Sequence, residues 1–150
     1  MPAQQTQNFV LMEHMLEEIQ TIIANFMIAT GLLGGSDNMS WDDINQLKQN
    51  GLAYFVDHTW SHSAISHGVF DKIQYEILTG KQQLEERTGQ SVNIFAYPYG
   101  SFNNNAISTL QSDGFIGAFS TIPGVLQCDS FIMTLHRNHI GNAPLSSYGL

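Results

Sequence analysis

Basic residues are scarce in this sequence. Five Lys and Arg stand against thirteen Asp and Glu in 150 residues, a formal net charge of -8. Such a surface repels phosphate backbones, so nucleic acid is excluded as the expected partner and a neutral or cationic one is favoured. Cysteine is nearly missing. The single Cys128 cannot close an internal disulfide, and no Cys cluster offers a structural zinc site. No apolar run reaches the roughly 18 residues that cross a bilayer, so no membrane span is expected. The opening Met1-Pro2-Ala3-Gln4-Gln5 has neither the basic start nor the apolar stretch of a signal peptide. This fits a cytoplasmic protein, or one whose signal lies outside the sequence. Charge is low overall, at 12% against 43% hydrophobic residues, which is the opposite of the balance that keeps chains disordered. What is present suffices for one domain with its own core, and neither repeats nor low-complexity linkers divide it.

Periodicity supplies the elements. Phe9, Met12, Met15, Leu16, Ile19 and Ile22 fall at helical spacing and predict a helix over Phe9–Ile22. A short apolar run, Ala24–Ala29, reads as a buried strand, ended by Gly31, Gly34 and Gly35. Ser40 with Asp43 three residues on is an N-cap signature and starts a helix to about Gln49. Leu52–Val56 is a second strand. Ile73, Ile77 and Leu84 mark a long helix over Phe70–Arg87, with Gly89 at its end. Val92–Tyr97 is a third strand, Asn103–Ser112 a short helix, and Phe115–Phe119 and Ile132–Ile140 are the last strands. Strands of about five residues alternating with longer helices predict parallel βαβ units, an α/β fold. Chemistry in such folds gathers beyond the carboxyl ends of the strands.

Two of those strand ends carry candidate groups. After Leu52–Val56 come His58 and His62, four residues apart, a spacing that on one helical turn puts both imidazoles on the same side. Zinc in catalytic sites takes three N or O ligands and keeps one position for water. Two histidines at a strand end are a start on such a site; they are equally at home as polar loop residues capping a helix. His67 reads as a solvated loop residue. After the third strand come Tyr97, Pro98, Tyr99 and Gly100. Pro98 fixes a turn and Gly100 admits positive φ, so the turn can aim a backbone N–H at a developing oxyanion. Read alone, it is a plain strand-to-helix turn flanked by packed aromatics.

Together the two segments resemble the polysaccharide deacetylase family, the chitooligosaccharide-deacetylase homology domain of carbohydrate esterase family four. The His58-Thr-Trp-Ser-His62 run resembles the family's second motif, which supplies two metal-binding histidines. The Phe95-Ala-Tyr-Pro-Tyr-Gly100 run resembles its third, in which the Tyr backbone N–H of P-Y-G serves the oxyanion hole. Asn38-Met-Ser-Trp-Asp-Asp43, Gly117-Ala-Phe-Ser-Thr121 and Leu135-His-Arg-Asn-His-Ile-Gly-Asn142 resemble flanking segments, so the likeness runs from about Asn25 to Leu150. The resemblance implies a distorted (β/α) barrel of about seven strands and a metal-dependent hydrolase acting on an N-acetylated amino-sugar polymer. It implies a divalent metal, zinc first, at His58 and His62. It assigns the oxyanion role to Tyr99 and protonation of the leaving amine to His136, with His139 the alternative. Trp60, Tyr97 and Pro98, with Phe102 nearby, would line a sugar-binding groove. Family members are usually secreted or held in the cell envelope.

One motif is missing. The family's T-F-D-D-G, which brings the third ligand and the general base on the first strand, occurs nowhere in the sequence. The sequence is therefore expected to start after that strand. The carboxylates that remain as substitutes are Asp57, Asp37 and Asp42. At the approximate place of the Arg that often opens the third motif, only Asn93 is offered. A catalytically incomplete domain with a carbohydrate-binding or structural role is the alternative reading. Three expectations follow. Metal is absent or weakly held, because two imidazoles make a poor zinc site. Binding falls below about pH 6, where both imidazoles would protonate. A barrel short of a strand leaves an edge unpaired, so the chain is expected to associate as a homo-oligomer, to lay its N-terminal helix over the gap, or to be poorly soluble.

Overall fold

The computed structural model describes residues 23–148. The helix expected over Phe9–Ile22 lies outside that range. Four parallel strands follow one another in sequence order: β1 (Ala24–Ile28), β2 (Ala53–Asp57), β3 (Ile94–Ala96) and β4 (Gly117–Phe119). Three α-helices connect them: α1 (Trp41–Gln49), α2 (Phe70–Thr88) and α3 (Asn104–Ser112). Each sits within two residues of its expected bounds at the N-terminal side, and the α/β reading holds. Among the described residues the sheet is open, three successive βα units followed by a fourth strand.

Local chemistry explains the helices. Ser40 Oγ accepts the Asp43 N–H, and the Asp43 carboxylate accepts the Ser40 N–H at 2.7 Å, a reciprocal capping box that starts α1. Ile44 and Leu47 turn its buried side to the sheet. α2 buries Ile73, Ile77, Gly80 and Leu84 along one stripe and stops at Gly89, whose φ of 67° is left-handed. Asn103 caps α3 by accepting the Ala106 N–H at 2.9 Å.

Strand alternation then sorts the side chains. Phe26, Phe55, Phe95 and Tyr97 belong to the core under the helices, with Ile77, Leu84, Leu110 and Phe115. The intervening residues Met27, Val56, His58 and Ala96 face the other side of the sheet. β2 and β3 pair fully only at Asp57 and Phe95. Nearer their amino ends the strands are bridged by a side chain: Gln90 donates to Phe55 O at 2.8 Å and accepts from Phe55 N at 3.0 Å. The two strands thus converge toward their carboxyl ends, where His58 and the Pro98 turn leave the sheet.

The strand expected over Ile132–Ile140 is not realised. Residues Asp129–Thr134 form a 3-10 helix, and Leu135 makes a single parallel bridge to Phe119. With Asp129–Thr134 turned helical, only Leu135 joins the sheet, its N–H donating to Ala118 O at 2.8 Å and its carbonyl accepting the Ser120 N–H at 2.9 Å. Gln127 covers the outward-facing backbone of His136, accepting its N–H at 3.0 Å and donating to its carbonyl at 2.8 Å.

Candidate metal centre and oxyanion turn

His58 leaves β2 with its imidazole on the face opposite the helices. Its Nδ1 lies 2.6 Å from the Ala96 carbonyl of β3. A carbonyl can only accept, so Nδ1 carries the proton and Nε2 presents a lone pair. This is the arrangement that fixes the tautomer of metal-ligating histidines. Burial pulls the His58 pKa down to about 4; the Ala96 carbonyl opposes this, and the charges of His62 and Arg137 add to it. The imidazole is neutral, and able to ligate, well below the pH 6 expected from an ordinary histidine.

His62 faces it. The ring centroids are 4.8 Å apart, edge to face. On its other side His62 meets Tyr99, again at 4.8 Å between centroids, with the Tyr99 hydroxyl 3.2 Å from Nδ1. The expectation that the two strand-end loops share one place is therefore met, although 37 residues separate His62 from Tyr99. The three non-glycine residues with positive φ among those described are Thr59 (64°), His62 (60°) and Tyr99 (58°). All lie in these two loops. Left-handed backbone costs an L-residue on the order of 1 kcal/mol or more, and such costs concentrate at functional sites.

The Pro98–Gly100 turn is held by bonds from Gly100 N–H to Tyr97 O at 2.9 Å and from Ser101 N–H to Pro98 O at 3.0 Å. Neither uses the Tyr99 N–H. Gly100 (φ +66°) has no room for a Cβ, which would collide with Thr121 beyond β4. The turn is thus clamped between His62 and the β4 loop. A cleft of about 350 Å³ opens beside the histidines, lined by His58, His62, Met27 and Leu32 together with Asn38 and Met39.

Several expected site residues stand elsewhere. Tyr97 is fully buried, its ring on Phe95 and Phe102, and burial pushes its hydroxyl pKa up. Pro98 is buried as well. Neither lines a groove in this structure, because Tyr97 shares the strand parity of Phe95. Trp60 packs edge to face on Tyr75 and against Gly31, outside the lining of the cleft. His136 stacks on Phe131 at 4.9 Å and rests against Gly124. From the closing segment it is Arg137 that crosses to the histidine side, its Nη1 donating to Met27 Sδ at 2.7 Å. Sequence reasoning passed over Arg137, although its alternation with His136 was there to be read.

The substitute carboxylates do not complete the site. Asp37 and Asp42 are exposed. Asp57 is fully buried on the helix side, where its carboxyl fills the space a side chain at Gly80 would need. Burial drives its pKa well up; the nearby N–H groups of Thr59 and His58 pull it back, but neither carboxyl oxygen has a well-formed hydrogen bond. Among the described residues no three His, Cys, Asp or Glu side chains gather as a metal site. The two imidazoles fit two positions of a tetrahedral centre, and a third protein ligand is not among those residues.

The polysaccharide deacetylase family profile matches residues 6–117, three quarters of the sequence. The chain belongs to the polysaccharide deacetylase family. The match takes in both histidines and the Pro98 turn and stops before Leu135, so the likeness of the closing segment is not part of it. A curated relative, the putative polysaccharide deacetylase YxkH of Bacillus subtilis (strain 168), is 23% identical over 112 residues, which are 75% of this chain and 39% of that protein. Among solved structures, the Streptococcus pyogenes deacetylase PplD in complex with acetate superposes with a TM-score of 0.78 at 24% identity, over 83% of this chain and 55% of PplD. The polysaccharide deacetylase BC0361 from Bacillus cereus gives 0.76 at 17%, over 86% and 41%. BA3943 from Bacillus anthracis, a pseudoenzyme of carbohydrate esterase family four, gives 0.61 at 17%, over 70% and 35%. The chain thus spans about half or less of the length of these proteins, and the barrel fold expected from the sequence is the fold they share.

Proposed function

We propose that this chain carries the histidine pair and oxyanion turn of a metal-dependent hydrolase that removes acetyl groups from N-acetylated amino-sugar polymers. The observation that carries this reading is the convergence of His58, His62 and Tyr99, two of them strained, at the carboxyl ends of adjacent parallel strands. His58 and His62 would hold a divalent ion, zinc by preference for nitrogen ligands. When bound, such an ion polarises the acyl oxygen and acidifies water. The protein's own residues do the rest. Ala96 holds the His58 tautomer. The Tyr99 hydroxyl orients His62, and the Tyr99 N–H is offered to the oxyanion. Arg137 adds a fixed positive charge beside His58, which favours an anionic product such as acetate.

A second reading has support of its own. The sequence has no T-F-D-D-G and, among the described residues, no third ligand and no carboxylate placed as a base; a pseudoenzyme is among the similar structures. Loss of a general base typically lowers rates by about 10²–10⁴. We therefore expect weak zinc binding and very low deacetylase activity from the 150 residues alone. The test is isothermal titration with Zn²⁺ plus an acetate-release assay on an N-acetylated chitooligosaccharide. A chain extended by a first strand carrying Thr-Phe-Asp-Asp-Gly should gain both together. If the extended chain binds zinc tightly yet releases no acetate, the non-catalytic reading is the correct one. If His58→Gln leaves zinc binding unchanged, the ion sits elsewhere.

A further inference from the structure

Glu76 sits on α2 and is 3% exposed. Its Oε2 accepts the Ser61 N–H at 2.8 Å, and its Oε1 accepts the Ser61 hydroxyl at 2.7 Å and the Ser63 hydroxyl at 3.5 Å. The two hydroxyls are themselves 2.6 Å apart. One turn of helix thus seizes a loop through side chain and main chain together, for the Glu76 carbonyl also accepts the Trp60 N–H at 2.8 Å. Every one of these donors belongs to the segment between His58 and His62 or the residue just beyond.

A carboxylate is an expensive way to fill a buried place. No cation pairs with it: the one ion pair among the described residues joins Lys81 and Glu85. An apolar side chain would pack there at lower cost, unless the charge is needed to organise donors. The donors it organises lie on a loop that must pass through left-handed backbone at Thr59 and again at His62. Such a path needs a strong external fixing, because its own conformational preference is against it.

We propose that Glu76 is the positioning residue of the histidine pair: its carboxylate locks the turn at Ser61, and that lock turns the His62 ring toward His58 and Tyr99. The positioning itself needs no metal. Its consequence for zinc affinity rests on the ligand reading given above, since supporting groups of this kind typically change affinity about 10–100-fold.

The deciding variant is Glu76→Gln. It keeps the shape but removes the charge and, whichever way the amide turns, leaves one oxygen where two accepted the Ser61 N–H and the serine hydroxyls. Imidazole ¹⁵N and ring ¹H resonances are followed in the metal-free protein, with Zn²⁺ titrated afterwards. We expect the His62 signals to shift and its ring contacts to His58 and Tyr99 to weaken. The His58 signals, held by Ala96, should stay near their wild-type positions. Zinc affinity should fall at least about 10-fold. Ser61→Ala, which removes the hydroxyl's bonds to Glu76 and Ser63 and keeps the N–H bond, should move His62 in the same direction by less, and it decides the matter if Glu76→Gln does not fold. Unchanged His62 signals in a folded variant would overturn the proposal, as would equal shifts of both histidines, which would mean general loosening. If wild type binds no measurable zinc, the ligand reading is decided by the extended chain described above, and the metal-free resonances still decide the role of Glu76.

Discussion

Asp57 and His58 are neighbours in sequence with opposite surroundings and opposite shifts. In the folded chain burial keeps the Asp57 carboxyl protonated well above 3.8 and the His58 imidazole neutral down to about 4. In the unfolded chain both are charged between about pH 4 and 6.5. Taken alone, Asp57 contributes stability below its unfolded value that is lost as pH rises toward its raised folded value. His58 contributes stability above its unfolded value of about 6.5, lost as pH falls toward 4. While Asp57 stays protonated the two effects cancel, since folding moves one proton on and one off. Asp57→Asn should therefore unmask a stability that rises with pH over this window, and His58→Gln one that falls. Each would differ from wild type by at most about 1.4 kcal/mol per pH unit. Urea midpoints at pH 4.5 and 6.5 would show it; identical pH slopes in all three proteins would refute it. The same alternation explains what the sequence did and did not reveal here. His58 and His62 were legible from spacing and motif. That Asp57 must point away from His58, and Tyr97 pack beside Phe95, follows from strand parity, which the motif resemblance overrode.

At the scale of elements, helix ends and stripes were readable because their causes are local: the Ser40–Asp43 box, the Ile73–Leu84 stripe, the glycine after α2. The closing strand was not, because its apolar residues are taken up by a 3-10 helix over Asp129–Thr134 and only Leu135 is left to bridge β4. Contact between elements also sets Gly80. By helix propensity alone Gly80→Ala should stabilise α2 by roughly 1 kcal/mol. The added Cβ would instead meet the Asp57 carboxyl, and overpacking of this kind costs about 1–3 kcal/mol. We expect net destabilisation by chemical denaturation. Asp57→Ala should relieve it, so the double variant would be more stable than the sum of the single changes allows. Strict additivity would show that the two positions do not press on each other.

Over the whole molecule, the parallel α/β order and the family were legible, whereas closure of the barrel is not seen among the described residues. There β1 pairs only with β2, and Val125 and Leu126 are 80% and 78% exposed. An unpaired edge and apolar loop tips favour self-association. Light scattering across a tenfold concentration range should show mass rising above the monomer, and Val125→Ser with Leu126→Ser should reduce the rise. A constant monomer mass would count against it. The sequential strand order has a further consequence, one of time rather than of structure. Each strand lies beside the one made just before it, so none waits for a partner synthesised later. As the chain leaves the ribosome, β2 can dock on β1, and β3 on β2, while the remainder is still being translated. The histidine loop and the Pro98 turn would then meet as soon as β3 is in place, before the exposed loop beyond β4 has been made.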